Sequence, residues 1–148
     1  MKYAHTNIIA ADWKKLAQFY IDVFECEPDY PERDLFGEWI DQATNIHNVR
    51  IRGIHLRLPG FTEGPTLEIF QYEPEKAGGN PSEIDRPGFG HIAFEVDSVK
   101  EIQARLLAHG GSKYGEIVTR EYPGKGILTM VYSRDPEGNI IEIQNWQR

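Results

Sequence analysis

Gly64-Pro65-Thr66-Leu67-Glu68-Ile69 and Gly138-Asn139-Ile140-Ile141-Glu142-Ile143 are one pattern written twice. Each reads glycine, three residues, glutamate, isoleucine, with an apolar residue before the glutamate. Strand side chains alternate between faces. If Leu67 and Ile69 pack, Glu68 and Phe70 face away; if Ile141 and Ile143 pack, Glu142 and Gln144 face away. A repeat at this spacing in a chain of 148 residues points to two copies of one supersecondary unit.

The openings of the two copies agree. Residues 1–10 read as a strand with His5 seven residues before Asp12, and residues 91–96 read as a strand with His91 six before Asp97. In the first, Ile8 packs with Ala4 and Thr6, so His5 and Asn7 face away. In the second, Ile92, Phe94 and Val96 pack, so His91 and Ala93 face away. Each opening strand precedes a helix. Asp12 is placed to cap residues 13–24, where Trp13, Leu16, Ala17, Tyr20 and Phe24 recur at helical spacing. Ser98-Val99-Lys100-Glu101 is a capping box, Leu106 and Leu107 continue its apolar face, and His109-Gly110-Gly111 ends that helix.

The rest of each copy reads as strands. Residues 26–48 read as one strand and a long loop, 49–58 as a strand stopped by Pro59-Gly60, and 66–72 as the closing strand. In the second copy 117–119 read as a short strand, 122–126 as a loop and 127–132 as a strand. Asp135-Pro136-Glu137-Gly138-Asn139 reads as a tight turn before the closing strand at 140–146. The expectation is an α+β fold of two tandem βαβββ modules, about 1–74 and 88–148, joined by a linker at about 75–87. Their curved mixed sheet would surround a cavity, and the whole would form a single domain.

Composition bounds the function. The chain is 40% hydrophobic and 26% charged, an ordinary balance for a globular domain. A net charge of −7 and the absence of a Lys/Arg cluster speak against nucleic acid and anionic membranes. Arg50, Arg52 and Arg57 would be divided between the two faces of one strand and read as solvated, with binding of an anionic group on a small substrate as the alternative. Cys26 is the one cysteine, so no intrachain disulfide is expected, and it reads as a half-buried, inert thiol. With neither a signal-peptide pattern nor a run of about 20 apolar residues, the expectation is a cytoplasmic protein.

Four residues stand at repeat-equivalent places on the faces away from the helices: His5 and His91 on the opening strands, Glu68 and Glu142 on the closing strands. If those faces meet, two imidazoles and two carboxylates suit one divalent ion, Zn, Ni, Co, Mn or Fe, with positions left open for substrate. Singly, each residue has an ordinary structural reading; the shared placement carries the set. His47 in a loop and His109 at a helix end lack that support. Asn7, Trp39, His55, Phe70, Met130 and Gln144 are candidates for lining a substrate pocket, and Tyr122–Gly126 is a candidate lid.

At these residues the sequence resembles the vicinal-oxygen-chelate superfamily, which includes glyoxalase I, methylmalonyl-CoA epimerase, extradiol dioxygenases, fosfomycin-resistance transferases and bleomycin-binding proteins. The resemblance lies in His5-Thr6-Asn7 leading to Phe19-Tyr20, in Leu67-Glu68-Ile69-Phe70, in Pro87-Gly88-Phe89-Gly90-His91-Ile92-Ala93-Phe94, and in Asp135-Pro136-Glu137-Gly138-Asn139-Ile140-Ile141-Glu142. It implies paired βαβββ modules around a metal site and a small-molecule substrate. It also implies a homodimer, with the donors drawn from one chain or two. The order His, Glu, His, Glu is similar to bacterial glyoxalase I, whereas the epimerases typically carry glutamine where Glu68 stands. The implied activity is a glyoxalase-like isomerase or lyase that removes a proton next to a carbonyl, with Glu142 the first candidate base and Glu68 the second. An epimerase, an extradiol dioxygenase and a non-catalytic drug-sequestering protein are the alternatives. Residues 28–48 and 52–60 depart from the first module of a typical glyoxalase I.

Overall fold

The computed structural model describes residues 1–76 and 83–148. The chain divides into two compact units, Met1–Gly79 and Asn80–Arg148. Gly78, Gly79 and Pro81 of the expected linker lie outside the described residues.

The first unit runs β1 (His5–Ile9), α1 (Trp13–Phe24), β2 (Glu27–Phe36), α2 (Glu38–Thr44), β3 (Arg50–Arg57) and β4 (Thr66–Glu73). Its four strands are ordered β1-β4-β3-β2. The β1–β4 pair is parallel and the others antiparallel, so the sheet is mixed. Asp12 caps α1 by accepting the Lys15 backbone N–H at 3.2 Å. The apolar stripe of α1 (Leu16, Tyr20 and Val23 among it) is buried, as are Ile54 and Leu56 of β3 and Leu67 and Ile69 of β4. Burying side chains of this size stabilises by about 1.5–3 kcal/mol each. The alternation read from the sequence therefore holds: the helix takes Leu67 and Ile69, and Glu68 and Phe70 occupy the other face.

The second unit runs β5 (Ile92–Glu95), α3 (Val99–Ala108), β6 (Ser112–Lys113), β7 (Val118–Tyr122), β8 (Gly126–Arg134) and β9 (Ile140–Gln147). Its order is β5-β9-β8-β6, with β7 also paired to β8. Ser98 caps α3 through the Glu101 N–H at 3.3 Å, and Gly110 takes a left-handed φ of 90° beyond its end. Val99 and Leu106 of α3 are buried, as are Val131 of β8 and Ile141 and Ile143 of β9. Asp135 is buried at the β8–β9 turn, where its side chain accepts the backbone N–H groups of Glu137 and Asn139 at 2.9 and 3.0 Å.

The expected α+β fold of two βαβββ units holds, with two details that the sequence reading did not give. The supposed long loop before residue 49 contains α2, whose Ile40 packs with Val49, Ile51 and Phe70 in a small separate cluster. In the second unit the strand that pairs with β8 is interrupted, forming β6 and β7. The corresponding β2 is continuous but shifts register between Asp29 and Arg33. The lid candidate, residues 122–126, is the turn of the β7–β8 hairpin. Tyr122 pairs with Gly126, and the Lys125 N–H reaches the Tyr122 carbonyl at 2.9 Å, making a tight hairpin turn. Gly124 and Gly126 supply its positive φ angles of 76° and 117°.

Arg50 pairs with Asp34 at 2.7 Å, Arg57 with Glu27 at 2.8 Å, and Arg52 with Glu73. These are half-exposed pairs, in keeping with the solvated reading. Cys26 is fully buried rather than half-buried, and burial pushes its thiol up to about 12. Among the described residues no helix is long and apolar enough to cross a membrane.

Candidate functional site

Register gives each of the two units an equivalent pair of side chains. The Cα partner of Glu68 on β1 is Asn7, and the Cα partner of Glu142 on β5 is Ala93. His5 lies two residues before Asn7, and His91 two before Ala93. Two residues along a strand returns to the same face, so each unit presents one imidazole beside one carboxylate. His5 Nε2 is 3.4 Å from Glu68 Oε2, and His91 Nε2 is 3.0 Å from Glu142 Oε2.

These spacings suit a metal. Adjacent ligands about 2.1 Å from one ion stand about 3 Å apart. Both glutamate side chains are mostly buried, at 10% and 13% exposure, while His5 and His91 remain open at 46% and 31%. Each pair thus offers an accessible nitrogen next to a sheltered carboxylate oxygen, and the donor chemistry fits a divalent ion. Among the described residues no group of three or more His, Cys, Asp or Glu side chains is placed to hold an ion, so a pair is what each unit presents by itself.

The middle strands add a second partner to each carboxylate. His55 on β3 is the Cα partner of Glu68, and its Nε2 lies 2.9 Å from Glu68 Oε1. An ionised carboxylate only accepts, so His55 Nε2 carries the proton in the neutral ring, and Nδ1 accepts the Thr66 hydroxyl at 3.0 Å. Burial pushes the His55 imidazole below its ordinary range, against the pull of Glu68, and Arg33 and His5 push the same way as burial. Asn7 Nδ2 donates to Glu68 Oε2 at 3.1 Å. In the second unit Tyr132 on β8 is the Cα partner of Glu142, and its ring packs against that of His91 with centroids 5.2 Å apart. Burial, followed by the Glu142 charge, pushes the Tyr132 phenol up.

Of the pocket candidates, Asn7, His55 and Phe70 gather around Glu68, with the His55 and Phe70 rings edge-on at 5.7 Å. Met130 and Gln144 are Cα partners on β8 and β9, two residues along from Tyr132 and Glu142. Trp39 is not brought to either pair. It lies on α2 with its side chain 60% exposed, while its neighbour Ile40 is the residue that α2 buries. The sequence reading missed Tyr132. Its signal is register alone, because the connections 58–65 and 135–139 differ in length and hide its equivalence to His55. His47 lies against Asp41, whose carboxylate accepts the N–H groups of Asn48 and Val49 at 2.7 and 3.0 Å and so anchors a loop.

A family model described as the Glyoxalase/Bleomycin resistance protein/Dioxygenase superfamily matches residues 2–143. The chain belongs to that superfamily. Its fold is shared with solved members. A glyoxalase family protein from Bacillus cereus superposes with a TM-score of 0.79 at 18% identity, covering 100% of this chain and 94% of that one. A glyoxalase family protein from Enterococcus faecalis gives 0.60 at 23% identity, over 97% and 96%. A genomically encoded fosfomycin resistance protein from Listeria monocytogenes gives 0.57 at 18%, over 97% and 92%. No curated protein matches the chain. At these identities the superfamily neighbours speak for the fold, and the chemistry has to be argued from the two His–Glu pairs.

Proposed function

We propose that this chain is a divalent-metal-dependent enzyme that moves a proton on a carbon next to a carbonyl in a small chelating substrate, an isomerase or lyase of the glyoxalase type. His5, Glu68, His91 and Glu142 would hold the ion, supplied by the units of one chain or of two in a homodimer. A bound ion would act as a Lewis acid toward two neighbouring substrate oxygens. The observation that carries this reading is the identical register of the two pairs, since two unrelated surface pairs have no reason to share it.

The remaining work falls to the protein's own groups. A carboxylate that takes the proton must leave its partners and reach the substrate carbon. Glu68 is held by Asn7 and by His55, which Thr66 holds in turn. Ala93 stands where Asn7 stands and has no side-chain donor for Glu142. Glu142 is therefore the less restrained of the two and the better base, and Glu68 is the better fixed ligand. Phe70 beside His55 and Met130 beside Gln144 supply apolar surface next to each pair.

The test is metal content of the purified protein together with solvent deuterium exchange into a small α-hydroxycarbonyl compound. Exchange that is lost on chelation and restored by a first-row divalent ion supports the proposal. Tight uptake of small molecules that ignores chelators, without exchange, would overturn it in favour of a sequestering protein.

A further inference from the structure

The middle strand of each unit sets one polar side chain directly opposite the closing glutamate, and the two are of different kinds. His55 is locked on three sides. Its Nε2 is 2.9 Å from Glu68, its Nδ1 is 3.0 Å from Thr66, and its ring stands edge-on to Phe70. Tyr132 stands directly across the ladder from Glu142, and its ring packs against His91 with centroids 5.2 Å apart. Tyr132 therefore lies against the histidine of its pair and opposite its carboxylate, whereas His55 bonds to the carboxylate of its pair and stands with its ring centroid 6.0 Å from that of His5.

We propose that His55 and Tyr132 are positioning residues that orient the carboxylates of Glu68 and Glu142 toward a bound divalent ion. This rests on the reading of the two His–Glu pairs as metal donors. The physical ground is the cost of freezing a glutamate side chain. A free carboxylate loses rotamer entropy when it binds an ion, and a partner that has already fixed it removes part of that loss. His55 is suited to this because its own ring is fixed by Thr66, so the hold on Glu68 extends to a hydroxyl on the same strand. Tyr132 is suited because it stands opposite Glu142 with its ring packed on His91, and an aromatic side chain with two rotatable bonds carries its hydroxyl on a stiff arm. Neither needs to bind the ion itself.

The experiment is titration of the full chain with Co(II), read by calorimetry and by the visible absorption of the bound ion. His55→Ala and Tyr132→Phe are each expected to weaken Co(II) binding by about tenfold and to shift the absorption, the magnitude typical of lost outer partners. His55→Gln, which keeps a nitrogen donor at the reach of Nε2, is expected to recover most of the His55→Ala loss and guards against a variant that merely folds poorly. Parental affinity and spectrum in His55→Ala and Tyr132→Phe, with binding abolished in Glu68→Ala and Glu142→Ala, would overturn the positioning role and leave the donor set standing. Parental binding in Glu68→Ala and Glu142→Ala as well would overturn both.

Discussion

Asn7 and Ala93 occupy the same place in the two units, each the Cα partner of its closing glutamate, and Asn7 alone carries a side-chain donor, reaching Glu68 at 3.1 Å. The asymmetry gives the two carboxylates unequal freedom on otherwise matched strands.

Restoring the symmetry tests which carboxylate moves. Ala93 is exposed, so Ala93→Asn fits without disturbing the core. It is expected to brace Glu142, lowering kcat for deuterium exchange by about tenfold while metal affinity holds or rises. Asn7→Ala is expected to weaken metal binding more than it lowers kcat. Equal effects of the two changes on kcat would contradict the assignment of Glu142 as base.

The apolar cluster under α2 predicts a contrast between neighbours. Ile40 is buried with Val49, Ile51 and Phe70, whereas Trp39 is exposed. Ile40→Ala is expected to cost about 2–4 kcal/mol of unfolding free energy, as for other large-to-small core changes. Trp39→Ala is expected to stay within about 0.5 kcal/mol. Urea unfolding of both variants measures the difference, and a large loss for Trp39→Ala would mean that it packs against something the single chain lacks.

Gly53 has no room for a side chain. It pairs with Phe70, and a Cβ there would stand 2.1 Å from the Ile69 carbonyl oxygen and 2.4 Å from the Phe70 ring. The obstacle on one side is backbone, which cannot rotate away. Gly53→Ala is expected to lose about 1–3 kcal/mol and to displace Phe70 from His55. A thermal melt reports the first effect, and a weakened metal titration reports the second.

Cys26 predicts a pH dependence on the alkaline side. Its thiol is raised from 9.0 to about 12 in the folded chain by burial. Unfolded chains therefore release the proton above about pH 9 while folded ones keep it, so the unfolded state binds fewer protons and stability falls as pH rises. The contribution is complete below pH 9 and is lost toward pH 12, with a limiting slope of about 1.4 kcal/mol per pH unit. Cys26→Ala is expected to flatten the decline, measured by denaturant unfolding between pH 8 and 11. In the native protein at pH 8 a thiol reagent is expected to react only on unfolding.

The division between sequence and tertiary structure follows the range of the forces involved. The repeated Gly-x-x-x-Glu-Ile pattern, the helix starts at Asp12 and Ser98, and the faces of His5, Glu68, His91 and Glu142 were legible, because capping and strand alternation depend on residues a few places apart. The sequence by itself thus determined that each unit has a face packed on its long helix and an opposite face, and which His and Glu stand on the latter. Tertiary structure decided three things that depend on residues far apart in the chain. It chose Ile40 over Trp39 for burial, because a seven-residue helix is too short to show its period and only the cluster beneath it fixes its rotation. It broke the partner of β8 into β6 and β7 while leaving β2 whole, a matter of pairing against a strand formed later in the chain. And it set His55 against Glu68 and Tyr132 against Glu142, because strand register is fixed by cross-strand hydrogen bonding and packing, which spacing along the chain does not encode.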